Sequence, residues 1–162
     1  MAQNENLGEL SIHEKLEKVG SVKSIKDKVK LLQQYDTMGL RLVLRGAYDP
    51  TIKWLLPSTR PPFELNEAVE WDLADARLDT EIFDKGVLWM KRLKDGKWFD
   101  GKPNVTQVKR EQIFIQMIES LHSTEVDVVF GMLKRKLPYS GVTTKLVLQA
   151  FPNLYPEGDA PK

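Results

Sequence analysis

The sequence predicts an all-α protein: a single compact domain of about seven to nine short helices over residues 11–152, between flexible tails at 1–10 and 153–162. Three observations predict it. Apolar residues recur at i, i+3 and i+4 through most of the chain. Serine, threonine and proline stand where helices should begin or end. A chain of 162 residues, 41% apolar and 29% charged, fits one soluble domain that can bury a core without cross-links.

The elements follow in order. Ser11, with Glu14 three residues on, has the spacing of a capping box and opens a helix that Gly20 stops. Ser24 caps a second helix reaching Tyr35; its apolar stripe is Ile25, Val29, Leu32 and Tyr35, with Lys23, Lys26, Lys28 and Lys30 on the other faces. A third begins near Thr37, with Leu40, Val43, Leu44 and Ala47 turned inward and Arg41 and Arg45 four apart on one side. Pro50, at the favoured first position, opens a short helix through PTIKWLL. The prolines of PSTRPP keep the next connector extended.

Residues 63–104 read as an insert, acidic and partly helical to residue 84, then a helix or strand in DKGVLWMKRL and a loop in KDGKWFDGKPN. Two glycines and the turn signals also allow a small β-hairpin near Asp95-Gly96, within 85–104. A strong helix across VTQVKREQIFIQMIESLH carries Phe114, Met117, Ile118 and Leu121 on one face. Ser123 or Thr124 caps its successor, whose stripe is Val126, Val129, Phe130 and Leu133 and which Pro138 breaks. Gly141 marks a pinch, and Thr143 caps a last helix holding Leu146, Val147 and Ala150, stopped by Pro152.

Composition removes several function classes. With no cysteine there is no disulfide framework, thiolate metal site or cysteine nucleophile. The N-terminus is polar and acidic, unlike a secretory signal, and no run approaches the ~18 apolar residues of a membrane span, so a cytoplasmic protein without membrane contact is expected. His13 and His122 stand far apart in no metal-binding pattern, and helix capping accounts for His122. No phosphate-cradling glycine motif is present. The acids from Glu64 to Asp84 read as a solvated face rather than an acid–base pair, which needs a desolvating pocket. The sequence therefore predicts a protein that is not an enzyme and takes no metal or cofactor.

Charge is unevenly distributed. Residues 21–60 carry 8 cations and 3 anions, and residues 91–136 carry 10 and 6, whereas residues 61–90 carry 2 and 8. A polyanion responds to such blocks, because fields reach only about 8–10 Å in physiological salt. The pinch lies beside one of them. A helix start there offers unpaired backbone N–H groups and a partial positive charge, both suited to a phosphate. Gly141 lets a backbone come close. Ser140, Thr143 and Thr144 supply hydroxyls, and Lys134, Arg135, Lys136 and Lys145 supply charge. Lys26, Lys30, Arg41 and Arg45 extend the candidate nucleic-acid contact. An ordinary glycine turn between packed helices is the plainer account of the same residues.

The segments SVKSIKDKVKLLQQY, LRLVLRGAYDPTIKW and DVVFGMLKRKLPYSGVTTKLVLQAFPNLYP, in that order, resemble the N-terminal helical DNA-binding domain of ATP-dependent, bacteriophage-type DNA ligases. Gly141 matches the family's turn glycine and Phe151-Pro152-Asn153-Leu154 its closing segment. The resemblance covers roughly residues 20–56 and 105–156 and implies an all-α module that grips duplex DNA by its backbone. The chain as a whole also looks like small proteins of T-even-type phages and cyanophages. The adenylation motif K-x-D-G is absent, because Leu93 stands where its lysine would precede Lys94-Asp95-Gly96. The expected function is thus a stand-alone duplex-DNA-binding protein, accessory to phage replication, repair or transcription. The alternatives are an adaptor docking on a protein partner through residues 63–104 with Trp71, Trp89 and Trp98, or a virion component.

Overall fold

Ser11 caps the first helix as its spacing predicts: its hydroxyl accepts from the Glu14 N–H and the Glu14 carboxylate accepts from the Ser11 N–H, both at 3.0 Å. The computed structural model describes residues 10–56 and 76–154. The connector PSTRPP, the acidic stretch 63–75 with Trp71, and both predicted tails except Leu10, Asn153 and Leu154 lie outside the described residues.

The helices are α1 (Ile12–Ser21), α2 (Ile25–Gln34), α3 (Met38–Tyr48), α4 (Leu78–Lys85), α5 (Gln107–Ser120), α6 (Ser123–Leu133) and α7 (Thr144–Ala150). Ser24, Thr37, Thr106 and Thr143 cap α2, α3, α5 and α7 through their hydroxyls. His122, rather than Ser123 or Thr124, caps α6, its Nδ1 accepting from the Thr124 N–H at 3.2 Å. The predicted inward faces of α3, α5, α6 and α7 are buried. Helix α6 is apolar nearly all round, with Val126, Val128, Val129, Phe130, Met132 and Leu133 all buried, which makes it the central helix.

The chain is mostly helical but not all-α. Strands β1 (Ile52–Trp54), β2 (Met90–Lys94) and β3 (Lys97–Asp100) form an antiparallel sheet in the order β1-β2-β3, with a 3-10 turn at Gly86–Trp89 before β2. The helix predicted from Pro50 is therefore a strand. The Asp49 carboxylate accepts from the N–H and hydroxyl of Thr51 and turns the chain, and Ile52–Trp54 then pairs with β2, some forty residues away. The hairpin near Asp95-Gly96 is present: both residues have positive φ, 53° and 77°, as a two-residue turn matched to the twist of the strands requires.

Helix α2 is turned differently from its predicted faces. Ile25, placed on its apolar stripe by spacing, is 59% exposed, while Lys28, placed on a solvent face, is buried. Trp89 joins sheet to helices: it meets Phe114 edge-on at 5.7 Å, Phe114 meets Phe130 at 6.0 Å, and its indole N–H donates to the Arg110 carbonyl at 3.1 Å.

Candidate nucleic-acid interface

The bend between α6 and α7 is built by internal contacts. After Leu133 the chain reverses through Arg135, a non-glycine residue at φ 63°, with the Lys136 N–H returning to the Gly131 carbonyl at 2.9 Å. Leu137 and Val142 are buried, and the Tyr48 hydroxyl donates to the Val142 carbonyl at 2.7 Å. Lys28 reaches in from α2. Its ammonium donates to the carbonyls of Val19 (3.0 Å), Gly20 (3.4 Å) and Ser140 (3.3 Å), and so closes the end of α1 and ties it to the bend. Gly141 has φ 73°, and a methyl there would meet Lys28 Cε at 2.9 Å. Helical spacing leaves that open side to a phosphate; the structure fills it with Lys28.

The predicted cations divide into two groups. Arg135 is turned inward, its guanidinium donating to the carbonyls of Gly46 (2.8 Å), Asp49 (3.0 Å) and Ile52. Arg45 pairs with the buried Asp49 carboxylate at 3.0 Å. Arg41 pairs with Asp36 at 2.7 Å and lies over the Phe151 ring at 4.9 Å, and the hydrogen bond to Asp36 raises its pKa further. By contrast Lys26, Lys30, Lys134, Lys136 and Lys145 are exposed and, among the described residues, none of the five has an ion-pair partner. Ser140, Gly141, Thr143 and Thr144 are exposed too, although the Thr143 hydroxyl already accepts from the Leu146 N–H.

The structure does not gather all of these on one surface. At about 100° per residue, Lys26 and Lys30 sit about 160° around α2 from Lys28, facing away from the bend that Lys28 holds. On the Ser140 side of the bend lies a cleft of about 380 Å³, lined by His13, Glu17, Asp127 and Tyr139 among others. There the Tyr139 hydroxyl shares a hydrogen bond with His13 Nδ1 at 2.8 Å, and His13 Nε2 is 3.6 Å from the Glu17 carboxylate. Burial pushes the Tyr139 pKa well above its ordinary value, with Asp127, Glu17 and Glu125 adding to the rise, so the phenol stays protonated. This flank is acidic.

Sequence reasoning missed the buried polar cluster at the other end of α1. One Glu125 oxygen accepts from the Ile12 N–H at 3.3 Å and the other from the Leu78 N–H at 3.1 Å, so one carboxylate closes the first turns of α1 and α4. Burial raises its pKa, against the pull of those two N–H groups. Lys15, 1% exposed, lies 3.8 Å from the Asp79 carboxylate, and burial lowers its pKa. A lysine and a glutamate on otherwise apolar faces were the only sequence signal.

For the adaptor reading, Trp89 is core at 1% exposure, Trp71 lies outside the described residues, and Trp98 is 42% exposed. Among the described residues no three His, Asp or Glu side chains are placed to hold a metal ion, and no helix is long and apolar enough to cross a membrane.

The architecture thus defines a mostly helical domain with a small antiparallel sheet and lysines displayed at its last bend. Over residues 15–138 the chain matches a family of unknown function (DUF6433), and it belongs to that family. No curated protein and no solved structure matches it.

Proposed function

We propose that this protein is a non-enzymatic DNA-binding protein that holds the phosphate backbone of a duplex through lysine side chains, with Lys134, Lys136 and Lys145 as the main contacts. Lys26 and Lys30 form a separate positive surface on the outer side of α2. The ligase-like resemblance belongs to the same proposal, as do a phage origin, a cytoplasmic location and a role beside replication, repair or transcription. What supports the reading is the division of the cations: Lys28, Arg41, Arg45 and Arg135 are bound within the fold, and the five exposed lysines have no ion-pair partner among the described residues. Contacts of this kind fix position without reading sequence. Glu17 and Asp127 turn a polyanion away from the Ser140 flank, so the backbone passes on the lysine side.

The test is the salt dependence of binding to a random-sequence duplex, followed by fluorescence anisotropy. Removing one phosphate-bound lysine should lower the slope of log affinity against log salt by about 0.9. The triple variant K134E/K136E/K145E should therefore bind far more weakly, with a slope reduced by about three units. A folded triple variant with the wild-type affinity and slope would remove these residues from the interface.

A further inference from the structure

The sheet carries a second and denser concentration of charge, in chemistry the bend lacks. Register places Ile52, Trp54, Met90, Lys94 and Lys97 on one face, the inner one at its base, and Lys53, Lys91, Leu93, Trp98 and Asp100 on the outer one. Two lysine pairs stand directly opposite one another, Lys53 with Lys91 on the outer face and Lys94 with Lys97 on the other. Like charges so placed weaken a sheet. Nearby anions do little to relieve them: Asp95 sits in the turn, and the Asp100 carboxylate is already 3.3 Å from the buried Arg110 guanidinium. On the outer face of the edge strand β3 is Trp98, 42% exposed, with the Lys53 ammonium 5.8 Å from its ring centroid; Phe99, 53% exposed, follows on the opposite face.

Lysine on an edge strand also discourages pairing between copies, which would account for Lys97 alone. It does not account for two adjacent, exposed aromatic rings, which make such an edge stickier. An aromatic ring displayed among cations suits a ligand that offers a flat π-face on an anionic chain. An unpaired nucleic-acid strand is that ligand, whereas a duplex keeps its bases stacked inside. We propose that the outer face of the β1–β2–β3 sheet binds single-stranded nucleic acid, a base stacking on Trp98 while Lys53 and Lys91 meet the adjoining phosphates. Phosphate binding there also relieves the opposed Lys53–Lys91 pair. The base of the hairpin is held by Arg110 and by Trp89, so the platform is presented by a fixed scaffold.

The experiment titrates the full chain against labelled oligo-dT, oligo-rU and a duplex of equal length. Trp98→Ala should weaken oligo-dT binding roughly 5- to 150-fold, the range expected for removing one base stack, and leave duplex binding unchanged. Trp98→Phe, which keeps a ring, should recover most of the loss. Oligo-dT should quench the wild-type indole emission, and Trp98→Phe should abolish that part of the quench. K53E/K91E should weaken single-strand binding and flatten its salt slope. Equal behaviour of oligo-dT and oligo-rU identifies the shared strand chemistry, and a difference reports the 2′-hydroxyl or the thymine methyl; either supports the proposal. It is overturned if folded Trp98→Ala binds oligo-dT as the wild type does, or if the wild type binds no single strand. K134E/K136E/K145E should leave single-strand binding to Trp98 intact, so failure of the duplex reading and failure of this one are separable.

Discussion

Lys28 carries its charge into a place that helical spacing assigns to water. Its ammonium answers three backbone carbonyls, and its stem fills the side of Gly141 where a Cβ would stand. Two costs follow. Lys28→Ala strands those carbonyls and should destabilise the protein by about 1.5–3 kcal/mol. Gly141→Ala puts an L-residue at φ 73° and should cost about 1–2 kcal/mol from backbone strain, with a further clash against Lys28 Cε at 2.9 Å. Because removing Lys28 also removes the clash, the double variant should cost less than the sum of the singles in urea denaturation. Strict additivity would show that the two residues do not share this space. A Gly141→Ala protein of unchanged stability but weakened DNA binding would return the glycine to the interface. Gly141 was legible in the sequence as a turn; its neighbour was not, because Lys28 lies more than a hundred residues earlier.

At the scale of elements, one side chain sets two helix starts. Both Glu125 oxygens are used, on the first N–H groups of α1 and α4. Burial raises this carboxyl above its ordinary value of 4.5, so the folded chain keeps a proton that the unfolded chain has already released. The contribution of Glu125 to stability therefore falls as pH rises from about 4.5 through the raised value. Glu125→Gln cannot titrate, so wild type should lose stability relative to this variant over that interval in denaturant midpoints. Parallel pH profiles, or a wild type that gains, would refute the assignment.

The helices were readable because a cap and a stripe are local: Ser11, Ser24 and Thr143 sit beside the turns they close. Strand β1 was not, because Pro50 imitates a helix start and the pairing that overrides it is with β2. The hairpin was readable only as far as its turn, since Asp95-Gly96 is a strong local signal while the strands around it are short and cationic. Of the candidate site, the exposed lysines were legible as charge. The inward turn of Arg135 depends on carbonyls of Gly46, Asp49 and Ile52, which no spacing within 134–145 reveals.

Those same long-range ties decide how the whole molecule folds. Lys28 with Ser140, Gln33 with Ala150, Tyr48 with Val142 and Arg135 with Gly46 each join the first third of the chain to the last. The family match ends at residue 138, inside the bend, yet the core does not end there. Leu146, Val147, Phe151 and Leu154 are each at most 5% exposed, and α7 packs along α2. Burying four such side chains contributes about 6–12 kcal/mol in transfer terms, comparable with the whole stability of a typical domain, about 5–15 kcal/mol. Deleting residues 139–162 should therefore abolish cooperative folding of the remainder, even though the family-matched range is kept. In the full chain, indole fluorescence and helical circular dichroism should give one coincident urea transition. In the truncated chain the fluorescence transition should vanish and the helical signal should drop well below the share of residues removed. A truncated protein with a sharp, coincident transition would mean that residues up to 138 form a core of their own and that α7 is an attachment to it; the bend, with Lys134 and Lys136, would then be the free edge of a smaller domain instead of a corner held from both sides.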